Sequence, residues 1–168
     1  QHLLPSGIGL HLSGACLAVL MFGWPLAMWT MALVALVADT VAIGSLPAWT
    51  SWVSHTVWMG LLPGTLGLGL GLMIRRWLPH HLFVYILGRG FISTALAVSL
   101  MGVLAWWLGR QPDTLSTEEW LLGHWLLGWG EAISTGMLTS IFVAFKPEWL
   151  LTYSDARYLP PPERPSPH

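Results

Sequence analysis

Long apolar stretches with almost no charge dominate this chain, and they restrict the folds that it can adopt. Hydrophobic residues make up 54% of the sequence and charged residues only 9%, against about 25% charged residues in a typical soluble domain. In lipid, every backbone polar group needs a partner inside the protein, so an apolar stretch of about 20 residues crosses the bilayer as a helix. We therefore predict an all-α integral membrane protein.

The apolar stretches predict about five transmembrane helices, of which the first is short or broken. Trp24-Pro25 ends the first stretch, because proline removes a helical hydrogen bond, and Leu62-Pro63-Gly64 interrupts the third. The predicted spans cover residues 10–23, 25–43, 52–74, 82–108 and 120–145. Residues 1–150 are thus predicted to form a transmembrane helical bundle, and residues 151–168 a polar, partly disordered cytoplasmic tail.

Basic residues lie between the third and fourth predicted spans and again after the fifth. Arg75 and Arg76 occupy the first of these segments, and Lys146, Arg157 and Arg164 the second. The positive-inside rule places both segments in the cytoplasm. Counting back through five spans puts the N-terminus of this chain near the outer face.

His11 lies between two glycines at the start of the first apolar stretch, in Gly9-Leu10-His11-Leu12-Ser13-Gly14. Imidazole is costly in lipid unless it faces protein, water or a ligand, and it is a common ligand of borderline transition metals. An interfacial anchor of a helix end is the other interpretation. His55 is predicted near the same outer face, so the two histidines are the candidate metal ligands. Whether they share one ion or a water cavity stays open.

Four further polar side chains fall inside the predicted spans: Asp39, Arg89, His124 and Glu131. A carboxylate at the depth of Glu131 has to pair or titrate. Arg89 either extends its cation to the cytoplasmic surface or pairs with Glu131. His124 and Glu131 share a helical face but lie about 10 Å apart along the axis, too far for one metal ion. Asp39 is interpreted as a helix-end or partner-paired carboxylate.

Several functions are disfavoured by the composition and the motifs. The net charge of −1 offers no basic surface for nucleic acid. No glycine-rich phosphate loop with its lysine is present, so the chain itself does not hydrolyse ATP. No nucleophile or cofactor motif joins Glu131 and His124, so we predict neither an enzyme nor a covalently bound cofactor. The single cysteine, Cys16, excludes an intrachain disulfide.

Blocks near both ends of the chain resemble a family of metal-uptake proteins. His11-Leu12-Ser13-Gly14, in a block that ends Phe22-Gly23-Trp24-Pro25, resembles the His-x-(Thr/Ser)-Gly region of CbiM/NikM-type membrane components. Gly130-Glu131-Ala132 through Lys146-Pro147-Glu148 is similar to the last span of that family and its (Arg/Lys)-Pro-Glu exit. Segments 78–85 and 153–159 resemble its proteobacterial branch.

The resemblance implies a substrate-capture permease of an energy-coupling-factor ABC importer for cobalt or nickel, in a bacterial inner membrane and linked to cobalamin biosynthesis. In that family nitrogen ligands bind the ion at the outer face, from an amino-terminal Met-His segment and from the motif histidine, whose counterpart here is His11. The implied partners are membrane lipid, other transmembrane subunits and cytoplasmic ATPase subunits.

The Met-His segment and the spans before the motif have no counterpart in this chain, and His55 stands where the family tends to carry asparagine.

These departures keep a second hypothesis open, an accessory or structural subunit of a larger membrane complex that has the same fold without metal transport. For the first hypothesis, nitrogen ligands in a square-planar or tetragonal arrangement favour Ni(II), and Co(II) accepts similar ligands. Because imidazole binds a metal only when neutral, we expect binding to weaken below about pH 6.

Overall fold

Four long apolar helices make up most of the protein in the computed structural model, which describes residues 13–78 and 81–154. They are α1 (Ala15–Ile43), α2 (Trp49–Trp77), α3 (Leu82–Trp107) and α4 (Thr117–Phe145), and a short 3-10 turn follows at Pro147–Trp149. The described residues contain no strand. Each long helix is apolar enough to cross a membrane, which confirms the all-α, multi-pass membrane class.

Local sequence signals account for several helix ends. α4 begins with a capping box, in which the Ser116 side chain accepts from the backbone of Glu119 and the Glu119 side chain accepts from the backbone of Ser116. α1 ends at Gly44, whose φ of 74° lies in the left-handed region that glycine tolerates best.

Two of the helices contain a π-helical segment. α2 consists of Trp49–Thr56, the π-segment Val57–Leu61 and Leu62–Trp77, and α3 consists of Leu82–Val84, the π-segment Tyr85–Ile92 and Ser93–Trp107. In α2 the wider turn ends two residues before Pro63, which lacks an N–H and crowds the preceding turn of a regular α-helix. The interruption predicted at Leu62-Pro63-Gly64 is therefore a change of pitch within one helix.

α1 is sharply bent at Gly23, which has φ 73° and ψ 167°, a backbone region that is almost confined to glycine. A Cβ placed on Gly64 of α2 would lie 3.9 Å from Ala15, before the bend, and 2.9 Å from the Met28 side chain, after it. A straight helix would separate Ala15 and Met28 by about 20 Å. The two halves of α1 therefore fold toward each other, and both pack on α2.

The prediction of about five spans is wrong in number, because the described residues contain four helices of spanning length. The difference lies in α1, where both apolar stretches before Gly44 were counted as spans. Residues 24–43 rise about 30 Å and are long enough to cross a bilayer, whereas residues 15–22 rise only about 12 Å. We call residues 15–22 the half-helix.

The bundle has two ends with different charge. We call one of them the tail end; it contains the end of α4, residues 146–154, the end of α2 and the start of α3. These parts lie together because the hydroxyl of Tyr85, near the start of α3, is 2.8 Å from the Thr152 hydroxyl. We call the opposite end the loop end; it contains the α1–α2 turn and the α3–α4 loop. Arg75, Arg76 and Lys146 lie toward the tail end, whereas Arg110, Asp113, Glu118 and Glu119 lie toward the loop end.

Candidate functional site

Glu131 is buried halfway along α4, and its carboxylate contacts Ser13 at the start of α1. The Ser13 hydroxyl donates to Oε1 of Glu131 over 2.8 Å, and the Ser13 backbone N–H donates to Oε2 over 3.3 Å. The same hydroxyl accepts a hydrogen bond from the N–H of Ala15 over 3.3 Å. Glu131 is only 2% exposed. The half-helix therefore begins inside the bundle, level with the middle of α4.

A face of small side chains directs Glu131 inward. The buried residues of α4 besides Glu131 are Gly128, Ala132, Thr135, Gly136 and Thr139. A Cβ on Gly128 would lie 2.8 Å from the backbone oxygen of Ala95, so α3 and α4 are already in close contact at this level. Small residues at such interfaces are typical of membrane helices, which associate by packing and hydrogen bonding.

Asp39 and His55, which the sequence analysis singled out separately, form a pair between α1 and α2. His55 Nδ1 lies 2.6 Å from Asp39 Oδ1, and the exposed fractions of the two side chains are 34% and 13%. Asp39 is thus a partner-paired carboxylate, one of the two interpretations proposed for it. A carboxylate on one ring nitrogen orients the other nitrogen, Nε2, as a ligand, and metal-binding histidines commonly have such a partner.

The Asp39–His55 pair lies nearer the loop end than the Ser13–Glu131 contact. The Cys16 thiol, three residues after Ser13, is 3.6 Å from the backbone oxygen of Pro63. His55 precedes Pro63 by about 12 Å along the axis of α2, in the direction of the loop end.

Arg89 does not pair with Glu131, because no salt bridge joins them in the part of the chain that the structure describes. It does not reach the surface either, since it is 6% exposed. Its guanidinium lies 5.5 Å from the centre of the Tyr85 ring, and it borders a cavity of about 10 Å³ together with Cys16. Among the described residues, the structure therefore shows neither of the two roles predicted for Arg89. Ser13 donates two hydrogen bonds to Glu131, while Gly71 leaves room for the arginine beside α2.

His124 contacts its own helix and α3. Its Nδ1 donates to the carbonyl oxygen of Trp120 over 3.0 Å, and the two ring centres lie 4.3 Å apart. The side chain also packs against Gly102, where a Cβ would overlap it. These contacts give His124 a packing role that is separate from the hydrogen bonds of Glu131.

The metal ligands remain predictions. His11 lies outside the described residues, so the structure does not test whether it meets His55. Within residues 13–78 and 81–154, no three or more histidine, cysteine, aspartate or glutamate side chains are grouped so that they could hold an ion.

Two contacts of the half-helix were not predicted. One is the bond from Ser13 to Glu131; the sequence places a hydroxyl just before a helix but does not identify its distant partner. The other lies at the tail end, where the N–H groups of Leu151 and Thr152 donate to the carbonyls of Met21 and Leu20. Because the helix is interrupted at Gly23, the last carbonyls of the half-helix have no helical partners. A predicted helix break at this position would therefore have indicated that another segment must supply donors for them.

Comparison with known proteins gives one family match. The family model described as CbiM, cobalt uptake substrate-specific transmembrane region, matches residues 2–149. None of the curated proteins and none of the solved structures matches the chain.

Proposed function

This chain belongs to the CbiM family of cobalt-uptake transmembrane proteins, and we propose that it captures Co(II) or Ni(II) at the outer face of a bacterial inner membrane for import. The family match carries the proposal, because it covers the four membrane helices and the His11 motif. The family is one of transport components rather than enzymes, and its members work with other components of a transporter.

The half-helix supports a transport role. It begins at Ala15, two residues after the Ser13 that bonds the buried carboxylate of Glu131, and it ends just before Gly23, near the tail end. Transporters commonly place ion and substrate sites where a discontinuous helix starts within the membrane, because the backbone groups there face a protein interior rather than lipid.

In this proposal His11 is the first nitrogen ligand, since it matches the motif histidine and lies two residues before Ser13. His55 is the second candidate ligand, with its ring oriented by Asp39. Imidazole nitrogens suit both Co(II) and Ni(II).

The charge of the two ends supports an orientation with the tail end in the cytoplasm. Arg75, Arg76 and Lys146 lie toward that end, as the positive-inside rule requires of cytoplasmic segments. The C-terminus is then cytoplasmic, where it can meet the proposed transmembrane coupling and ATPase subunits.

The first test is the metal content and Co(II) or Ni(II) affinity of the full-length protein, purified with its partners. We expect about one bound ion per chain, lost in His11→Ala and weakened in His55→Ala. His81→Ala is the matched control, because His81 is exposed at the tail end. Co-purification of ATPase subunits would add support for an importer.

Two results would contradict the proposal. One is a wild-type protein that binds neither ion, and the other is a His11→Ala variant that binds as tightly as wild type. A stable complex without metal and without an ATPase subunit would instead support the accessory or structural role.

A further inference from the structure

We infer that the cavity beside Arg89 is a binding site for one water molecule, which accepts a hydrogen bond from the guanidinium inside the bundle. The cavity measures about 10 Å³ and lies where three elements meet. The half-helix lines it with Cys16 and Val19, α2 lines it with Gly67, and α3 lines it with Arg89 and Ser93. Water bound there joins the half-helix to α3.

Arg89 is a buried cation that lacks a hydrogen-bond acceptor. The residue is 6% exposed, and its Nε is buried without a hydrogen-bond partner among residues 13–78 and 81–154. No carboxylate of these residues forms a salt bridge with it. The Tyr85 ring, 5.5 Å from the guanidinium carbon, attracts the charge but leaves Nε without an acceptor. Because a buried cation without acceptors is costly, charged groups at membrane depth face a partner or water.

The volume of the cavity limits what it can bind. A cavity of about 10 Å³ is at the lower limit for one water molecule, so it is too small for phosphate, for a lipid headgroup or for a molecule that carries a carboxylate. A water molecule and a monatomic ion of similar size, such as chloride, are the two candidates that remain.

The polar groups around the cavity favour water over chloride. The Ser93 hydroxyl donates to the carbonyl oxygen of Arg89, and the Cys16 thiol donates to the carbonyl oxygen of Pro63 over 3.6 Å. Since both protons are engaged, the oxygen and the sulfur offer lone pairs, which repel an anion. Water accepts from Arg89 and can also donate to Ser93 and Cys16, in keeping with the roughly three hydrogen bonds of a typical buried water.

The water adds a polar contact midway along the half-helix. The carboxylate of Glu131 bonds Ser13 just before the half-helix begins, and the tail contacts the carbonyls of Leu20 and Met21 where it ends. Cys16 lies between these two contacts, so a water beside it connects the middle of the half-helix to α3. The same water lets Arg89 remain charged inside the bundle without a carboxylate partner.

Nuclear magnetic resonance of the full-length protein with isotopically labelled arginine tests the site directly. The measurement is the nuclear Overhauser effect between the Nε–H of Arg89 and water, and Arg89→Met identifies the resonance by removing it. A buried water stays long enough to give a cross-peak with the sign of a rigid contact. Arg110, which is exposed in the α3–α4 loop, is the internal comparison, because surface water exchanges rapidly.

Two valine variants provide a matched pair. Val19→Ile adds one methyl group to the lining of the cavity, whereas Val34→Ile makes the same change on an exposed part of α1. We expect the Arg89 cross-peak in wild type and in Val34→Ile, and we expect its loss in Val19→Ile. Replacing chloride by gluconate at constant ionic strength should change neither the cross-peak nor the melting temperature of wild type.

Three results would overturn the water site. One is a folded wild-type protein without a rigid-contact cross-peak at Arg89, and another is a folded Val19→Ile variant that keeps it. The third is a melting temperature that rises with chloride in wild type but not in Arg89→Met, which would identify the ligand as an anion. If Val19→Ile does not fold, the wild-type spectrum with and without chloride still decides between water, an anion and neither.

Discussion

Single residues decide how closely the helices approach each other and which polar groups meet. Gly128 allows the backbone of α3 to lie against α4, and this contact keeps Glu131 on the buried side. Asp39 and His55 were each identified from the sequence as polar groups inside apolar stretches, but their pairing was not. Their separation along the chain spans the α1–α2 turn, and no local periodicity relates two side chains on different helices.

Gly128→Ala should destabilise the protein. Its Cβ would lie 2.8 Å from a backbone oxygen that moves only with α3, so we expect a loss of about 1–3 kcal/mol. Gly130→Ala is the control on the same helix, because no atom lies within 4 Å of its Cβ, and it should change stability by less than about 0.5 kcal/mol. Thermal unfolding in detergent compares them, and equal melting temperatures would contradict the close contact.

At the scale of elements, the bend in α1 has the largest consequence for function. It folds one short apolar stretch and one of spanning length toward each other, so that both pack on α2 around Gly64. The sequence indicated a break near Trp24-Pro25, and the structure places it at Gly23. Proline can occupy the first turn after such a break, because its missing N–H has no helical partner there.

Gly23→Ala should destabilise α1 selectively. At φ 73° and ψ 167° a Cβ is strained, and it would lie 3.0 Å from the Leu151 side chain, so we expect a loss of about 1–3 kcal/mol. Gly69→Ala in α2 is the control, because its backbone is helical and its surroundings are open. Thermal unfolding combined with proteolysis of the tail measures the effect; a stable Gly23→Ala variant with a protected tail would show that the bend needs no glycine.

On the scale of the whole molecule, the two ends of the bundle differ in charge, because basic residues predominate at the tail end and acidic residues at the loop end. Basic residues at the α2–α3 connection and after α4 lie together, because the helices alternate in direction and the tail contacts Tyr85 of α3. The acidic residues Asp113, Glu118 and Glu119 lie toward the loop end. This asymmetry supports the proposed orientation, in which the tail end is cytoplasmic.

Cysteine labelling tests this orientation. On a Cys16→Ala background, which removes the single native cysteine, Asp113→Cys should react with an impermeant maleimide added to intact spheroplasts. Arg76→Cys should react only after the membrane is permeabilised. The reverse pattern would overturn the orientation and, with it, capture of the ion from the outer side.

The sequence by itself determined the membrane class, the approximate extent of the apolar helices and the polar residues inside them, because lipid restricts composition and backbone hydrogen bonding residue by residue. The family likeness likewise depended on short local motifs, and the family match over residues 2–149 confirms it.

Only the tertiary structure decided that residues 15–22 form a half-helix, that Asp39 meets His55, and that Glu131 bonds Ser13 rather than Arg89. These facts depend on which faces of separate helices meet. Packing of glycines and other small residues across several helices sets those contacts, and no single stretch of the chain contains that information.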